Sequence, residues 1–527
     1  MNRTRLGALL IAVSALGSGS ARAWDLRWFD LMGATGFDAA GSVVTDATGA
    51  YLLGVVTGAL PGQTPAGGRD AFLRKYSLSG AVLWTRQFGT PSNEFAEVVA
   101  IHDGDIFVMG VTAGTLPGQT SQGSQDVFVR RYTPDGDVVW TSQFGTPGFD
   151  AAGGLAVNEN GVFVAGYFFE GSQGPSQLHA YLARLDTDDG AFAWRQNVGP
   201  GTTAQPPSTA PASVAVDATG VYFIANVAGT MPFRKYDFAG QELWARDIDD
   251  VEDCFVYGFA VSAYGGRVSM IGQVDKAFWE DTSTCQRIGV TVGGLRTFDA
   301  DGNLLWKRAV EAGPVAGEHT FTGGKVVHVT ASGVYVASNT TTTFAGFTPR
   351  TPRPDYSQCT GLSDPFFDAL DAYVRRYDND GNVIWTQQFG GTVFDLVQGL
   401  GSGPDTIFGA GYTSCSFMGL PYNGGTGDAF VVSFAVDPQT AGGKTHLVVG
   451  RLETLKDQAR VTRADFDNLA RHLTRAADAI GAGETLRARQ ALQTFLRGVT
   501  RVQRLGGLTE EDAAALASAA QAVLKML

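Results

Sequence analysis

A chain of 527 residues with 69 glycines and 44% hydrophobic residues holds enough apolar material for a large core, and its glycines follow no Gly-X-Y period, which excludes disorder and collagen-like structure. The formal net charge is −13, and because residues 444–527 carry 13 Lys/Arg against 9 Asp/Glu, the body of the chain is more acidic still, about −20 over 24–443. Such a body repels nucleic acid and anionic membranes, so cations or cationic surfaces are its expected company.

Residues 1–23 read as a secretory signal: Asn2-Arg3-Thr4-Arg5 is a basic start, Leu6 to Leu16 an apolar core, and Ala21-Arg22-Ala23 a cleavage site. The mature chain is expected to begin at Trp24. No later apolar run reaches the roughly 20 residues that a membrane helix needs. The signal holds no Cys for lipid attachment, and four cysteines in the rest of the chain fit an oxidising compartment.

Residues 24–438 are organised by one phrase. It reads Trp84-Thr-Arg-Gln-Phe-Gly89, Trp140-Thr-Ser-Gln-Phe-Gly145 and Trp385-Thr-Gln-Gln-Phe-Gly390, with looser copies at Trp28, Trp194, Trp244 and Trp306. The spacing of 50 to 79 residues suits a unit of four short strands. Between Trp84 and Val139 the runs Glu97 to Ile101, Ile106 to Gly110 and Asp126 to Tyr132 are β-branched and aromatic, separated by Asp103-Gly104 and closed by Pro134-Asp-Gly136. Seven copies predict a mainly β fold, a seven-bladed β-propeller of four-stranded antiparallel blades. The last unit lacks a Trp strand, and Leu26 to Leu31 is expected to supply it and close the ring.

Together with Leu60-Pro-Gly-Gln-Thr64, Leu116-Pro-Gly-Gln-Thr120 and Asp-Ala-Phe-x-x-Lys/Arg-Tyr, these phrases resemble the bacterial SBBP repeat, a family of seven-bladed propellers. The resemblance covers roughly residues 26–437. Units four and five depart from it: Trp244-Ala-Arg-Asp-Ile248 lacks Gln-Phe-Gly, and Met231-Pro-Phe-Arg-Lys-Tyr236 lacks the Asp. The family implies secreted or surface-associated bacterial proteins with no common catalytic activity.

Residues 439–446 read as a linker, and 447–527 as a helical bundle. Phe466, Leu469, Leu473 and Ile480 keep helical spacing behind Thr462 as N-cap, and Gly481 and Gly483 end that helix. Leu492 to Val502 and Leu516 to Leu527 mark two more helices, and Leu447 to Ala459 a first. The arrangement resembles the FIMAH module of secreted bacterial proteins. Its positive charge suits docking onto an acidic neighbour or onto its own propeller.

Strand order places the connections after Gln-Phe-Gly and those carrying Leu-Pro-Gly-Gln-Thr on one face of the disc, the face expected to bind. All four cysteines map there. Of three possible pairings, Cys254 with Cys285 and Cys359 with Cys415 join neighbouring loops. The long insertions 275–291 and 339–370 carry Phe278, Trp279, Phe344, Phe347 and Tyr356, either a recognition surface or packing for the loops themselves. Asp38, Asp150 and Asp395 share Gly-x-x-x-Phe-Asp, either a Ca²⁺ set near the channel mouth or turn-stabilising residues.

Asp299-Ala-Asp-Gly-Asn303 and Asp378-Asn-Asp-Gly-Asn382 are turns, since an EF-hand needs a Glu at its twelfth position. The six histidines occur singly, and no Gly-x-Ser-x-Gly or His-Glu-x-x-His is present. The expected function is an exported scaffold that binds a protein or glycan at the cell surface. The alternative is a secreted enzyme, a polysaccharide hydrolase or lyase or a quinoprotein-like dehydrogenase, with its site at the channel mouth.

Overall fold

The computed structural model describes residues 26–34, 36–170, 177–202, 212–227, 230–249, 255–275, 291–310, 325–341, 343–345, 347, 370–390, 394–403, 405–414, 426–436 and 440–527. The strands form seven four-stranded antiparallel sheets. Blades one to six span residues 39–88, 94–144, 150–202, 213–249, 255–310 and 326–389. Blade seven takes three strands from 395–435, and its fourth is the N-terminal Leu26–Met32, paired antiparallel with Asp428–Ala435. The first strand of each blade touches that of the next, and blade seven's first strand touches blade one's, so the ring is closed.

One bond recurs at every junction. Each repeat tryptophan stands on an outer strand and donates its indole N–H to a backbone carbonyl at the foot of the next blade. The pairs are Trp28 with Leu78, Trp84 with Pro134, Trp140 with Thr187, Trp194 with Phe238, Trp244 with Ala300, Trp306 with Asn379 and Trp385 with Val436. In six of the blades the receiving segment is a turn, and its glycine lies against the indole face. Gly381, at φ +79°, leaves only 2.7 Å between the position of an added methyl and the Trp306 ring. Glycine is required there twice over, for its conformation and for its lack of a side chain.

Four helices follow: α1 (Ala441–Asp457), α2 (Arg463–Gly481), α3 (Thr485–Arg504) and α4 (Glu510–Met526). Thr440, Thr462 and Thr509 cap α1, α2 and α4 by accepting the N–H groups of Gly443, Asp465 and Asp512. Helix α1 begins six residues before the expected Leu447, so most of the expected linker is helix. Two glycines in its first turn masked the start in the sequence.

The bundle has its own core around Leu452, Leu469, Leu473, Phe495 and Leu516. It also docks on the propeller, where α1 covers the outer strand of blade six, Val383–Phe389. Gly450 permits the approach, because a methyl there would meet the Ile384 carbonyl. Thr454 accepts the outward-facing Val383 N–H at 3.0 Å, and both Glu453 oxygens lie 3.0 Å from Arg375 Nη2 in a buried ion pair.

Candidate functional site

The face that carries the between-blade and second-to-third-strand connections is held down by a repeated clasp. In blade one the Gln87 side chain accepts the Leu60 N–H and donates to the Gly58 carbonyl and to Asp70 Oδ2, at 2.7–3.0 Å. Gln63 closes the loop by accepting the Gln87 N–H, and Asp70 also accepts the Ala66 N–H. Gln143, Gln119 and Asp126 repeat this in blade two. In blade six Gln388 takes the Phe344 N–H and donates to Asp371. Trp-x-x-Gln-Phe-Gly, Leu-Pro-Gly-Gln-Thr and Asp-Ala-Phe are therefore three parts of one buried hydrogen-bonded unit.

A second set of carboxylates lies at the start of the inner strands. Asp38 accepts the N–H groups of Ala34 and Thr57, Asp150 accepts Thr146 N–H at 2.7 Å, and Glu94 accepts Thr90 N–H and the Thr90 and Thr112 hydroxyls. Each meets the clasp aspartate of the preceding blade across a glycine. A methyl on Gly33 would strike Asp428 and Asp38, one on Gly89 would strike Glu94 and Asp70, and one on Gly145 would strike Asp126 and Asp150. Burial raises the pKa of Asp38 above the usual carboxylate value, and burial, with the Asp126 charge adding to it, pushes Asp150 up to about 6.

Asp38, Asp150 and Asp395 thus do not converge at the channel mouth. Asp38 and Asp150 each belong to their own blade junction, and Asp395, at the same position of its strand, is fully buried and follows a backbone bond to Leu370. Among the described residues no group of three or more His, Cys, Asp or Glu side chains could hold a metal ion. The bonds made by Asp38 and Asp150 are the turn-stabilising ones.

Of these aromatics, Phe344 and Phe347 are buried, as the packing alternative has them. Phe344 packs edge-on against Tyr373 beneath Arg375, and Phe347 stacks on His446 of α1. Phe278, Trp279 and Tyr356, the four cysteines and residues 1–25 lie outside the described residues.

The rings that are exposed on this face were missed. Phe95 and Phe149 are 37% and 46% exposed, and the Arg69 guanidinium lies over both Phe95 and Phe37, at 4.6 and 5.1 Å. For Phe149 the signal was present in Gly-x-x-x-Phe-Asp, where only the Asp was weighed; Phe95 follows Glu94 outside that pattern. In the channel, burial pushes Glu97 of blade two up to about 7 and lowers Lys325 of blade six, and each charge opposes the other's shift across the ring.

These features define a closed seven-bladed propeller with one clasped, loop-bearing face. Residues 125–279 match the family model described as outer membrane protein assembly factor BamB. A segment of 139 residues is 34% identical to the regulatory protein FlaEY of Caulobacter vibrioides, a match covering 23% of this chain and 15% of that protein. Among solved structures, the propeller domain of the trilobed protease of Pyrococcus furiosus is 7% identical, with 71% of this chain and 89% of that one covered. Drosophila Plexin A in complex with Semaphorin 1b is 9% identical, covering 83% and 91%. Both have a TM-score of 0.37, too low to bear on function.

Proposed function

We propose that the protein is an exported binding scaffold that engages a protein or glycan ligand through the loop-bearing face of its propeller. The observation that carries this reading is the placement of two large exposed rings, Phe95 under the Arg69 guanidinium and Phe149 at the next blade junction, on a face whose loops are fixed from below. Exposed aromatics with a neighbouring guanidinium are the side chains that most often anchor an interface. Tethered loops also lose less entropy on binding than free ones. The signal-like residues 1–23 and the partial match to an outer-membrane assembly factor support a location outside the cytoplasm, periplasmic or extracellular. Among the described residues no helix is long and apolar enough to cross a membrane.

The test is surface plasmon resonance of the mature, oxidised protein against a glycan panel and purified envelope proteins. Phe149→Ala and Phe95→Ser should each weaken the strongest binder at least tenfold while leaving the thermal midpoint within about 1 °C, as exposed substitutions do. A binder indifferent to both, but lost on substituting Tyr264 on the opposite face, would overturn the reading.

A further inference from the structure

Blade two carries an arginine at the position where blade six uses one to receive α1. By strand register Arg130 corresponds to Arg375: Arg130 faces Thr141 and Arg375 faces Thr386, and each donates its Nε–H to that threonine hydroxyl at 2.8 Å. Each guanidinium also lies 4.4 Å from a phenylalanine ring, Phe88 in one case and Phe344 in the other. In blade six the rest of the guanidinium is taken by Glu453 of α1.

In blade two Arg130 is only 6% exposed, and it meets the Thr141 and Tyr132 hydroxyls and the rings of Phe88 and Tyr132. Among the described residues no carboxylate pairs with it. In blades one and four the arginine at this position is served within the propeller, since Arg74 faces Asp30 at 3.9 Å and Arg234 pairs with Asp247. A buried guanidinium without a carboxylate is costly, and a carboxylate brought from outside recovers part of that cost.

The apolar part of the dock is present as well. Val138 and Val139 stand where α1 buries Val383 and covers Ile384, but they are 52% and 45% exposed. We propose that the outer edge of blade two is a helix dock, and that its occupant is an amphipathic helix of a partner protein that sets a glutamate one turn after a small residue, as α1 sets Glu453 after Gly450. The glutamate closes on Arg130, the small residue lets the helix approach the strand, and Val138 and Val139 take the apolar face. This surface is separate from the loop-bearing face.

The probe is a helix-stapled, fluorescent peptide of residues 440–458, titrated by anisotropy into the full mature chain. Blade six holds its own α1 at high effective concentration, so the added peptide meets blade two. Saturable 1:1 binding is expected, weakened at least tenfold by Val139→Asp in the protein, by Arg130→Met, and by Glu453→Gln in the peptide. Val139 is exposed, so its variant keeps the test valid if Arg130→Met fails to fold. Absence of binding to the wild-type chain, or binding unchanged by Val139→Asp and by the peptide's Glu453→Gln, overturns the proposal.

Discussion

On the turn side of the disc, neighbouring blades are joined by a neutral bond from an indole to a carbonyl; on the loop side they are joined through buried carboxylates. The neutral seam is present at all seven junctions, including those of blades four and five, whose sequences drift furthest. The clasp is not. In register with Gln87 and Asp70 stand Asn197 and His179 in blade three, Asp247 and Thr230 in blade four, and Ala309 and Val292 in blade five. Blade seven keeps Asp428 with Leu31 opposite its neighbouring strand position. In three blades both members have changed together. A buried carboxylate stripped of its donor costs more than an apolar pair in its place, which accounts for the joint change in those three blades; blade seven, where the aspartate outlasts the glutamine, is the exception.

The harshest way to break the neutral seam is to fill the space under an indole. Gly381→Val adds branching atoms 2.7 Å from the Trp306 ring and forces a β-branched residue to φ +79°. A loss of about 3–5 kcal/mol is expected in denaturant unfolding, from overpacking and backbone strain together.

The charged seam is sharpened by a double-mutant cycle. Gln143→Ala removes the 2.7 Å donor to Asp126 and should cost about 1–3 kcal/mol, because the buried carboxyl keeps only the Gln122 N–H. The double variant Asp126→Val with Gln143→Ala copies the apolar pair of blade five and should cost less than the two single changes summed. Additive costs would show that the pair is not one unit.

The loop-side seam and the channel also respond to pH, while the neutral seam does not. Asp150 titrates near 6 and Glu97 near 7, both above their unfolded values, so the folded state holds protons that the unfolded chain releases. Their contribution is full below the ordinary carboxylate range and is lost as pH rises through 6–7. The thermal midpoint should therefore fall between pH 5 and pH 8, and Asp150→Asn with Glu97→Gln should flatten that fall.

Much of this architecture was legible in the sequence because one unit is repeated. Trp-x-x-Gln-Phe-Gly fixed the blade count, and the missing Trp strand after Asp428-Ala-Phe pointed to Leu26–Met32 as the closing element. What the repeat concealed was which residue in each motif faces inward. Asp38 and Asp150 read equally as Ca²⁺ ligands or as turn residues, and in the structure each turns back to accept backbone N–H groups. Phe344 read either as part of a recognition surface or as loop packing; its N–H is held by Gln388 and its ring lies in the core. Neither outcome follows from local pattern alone, since both depend on which blade lies alongside.

The mildest change compares one bond in two settings. Trp84→Phe removes an indole N–H that donates to the Pro134 carbonyl at an open rim, where water can replace it. Trp385→Phe removes the same bond to the Val436 carbonyl beneath α1, where the indole is fully buried. A neutral hydrogen bond contributes about 0.5–1.5 kcal/mol, and an orphaned buried carbonyl adds to the cost. Trp84→Phe should thus cost about 1 kcal/mol or less, and Trp385→Phe about 2 kcal/mol, read from denaturant midpoints. Equal costs would mean that water reaches the blade-six rim and that α1 does not seal it in solution.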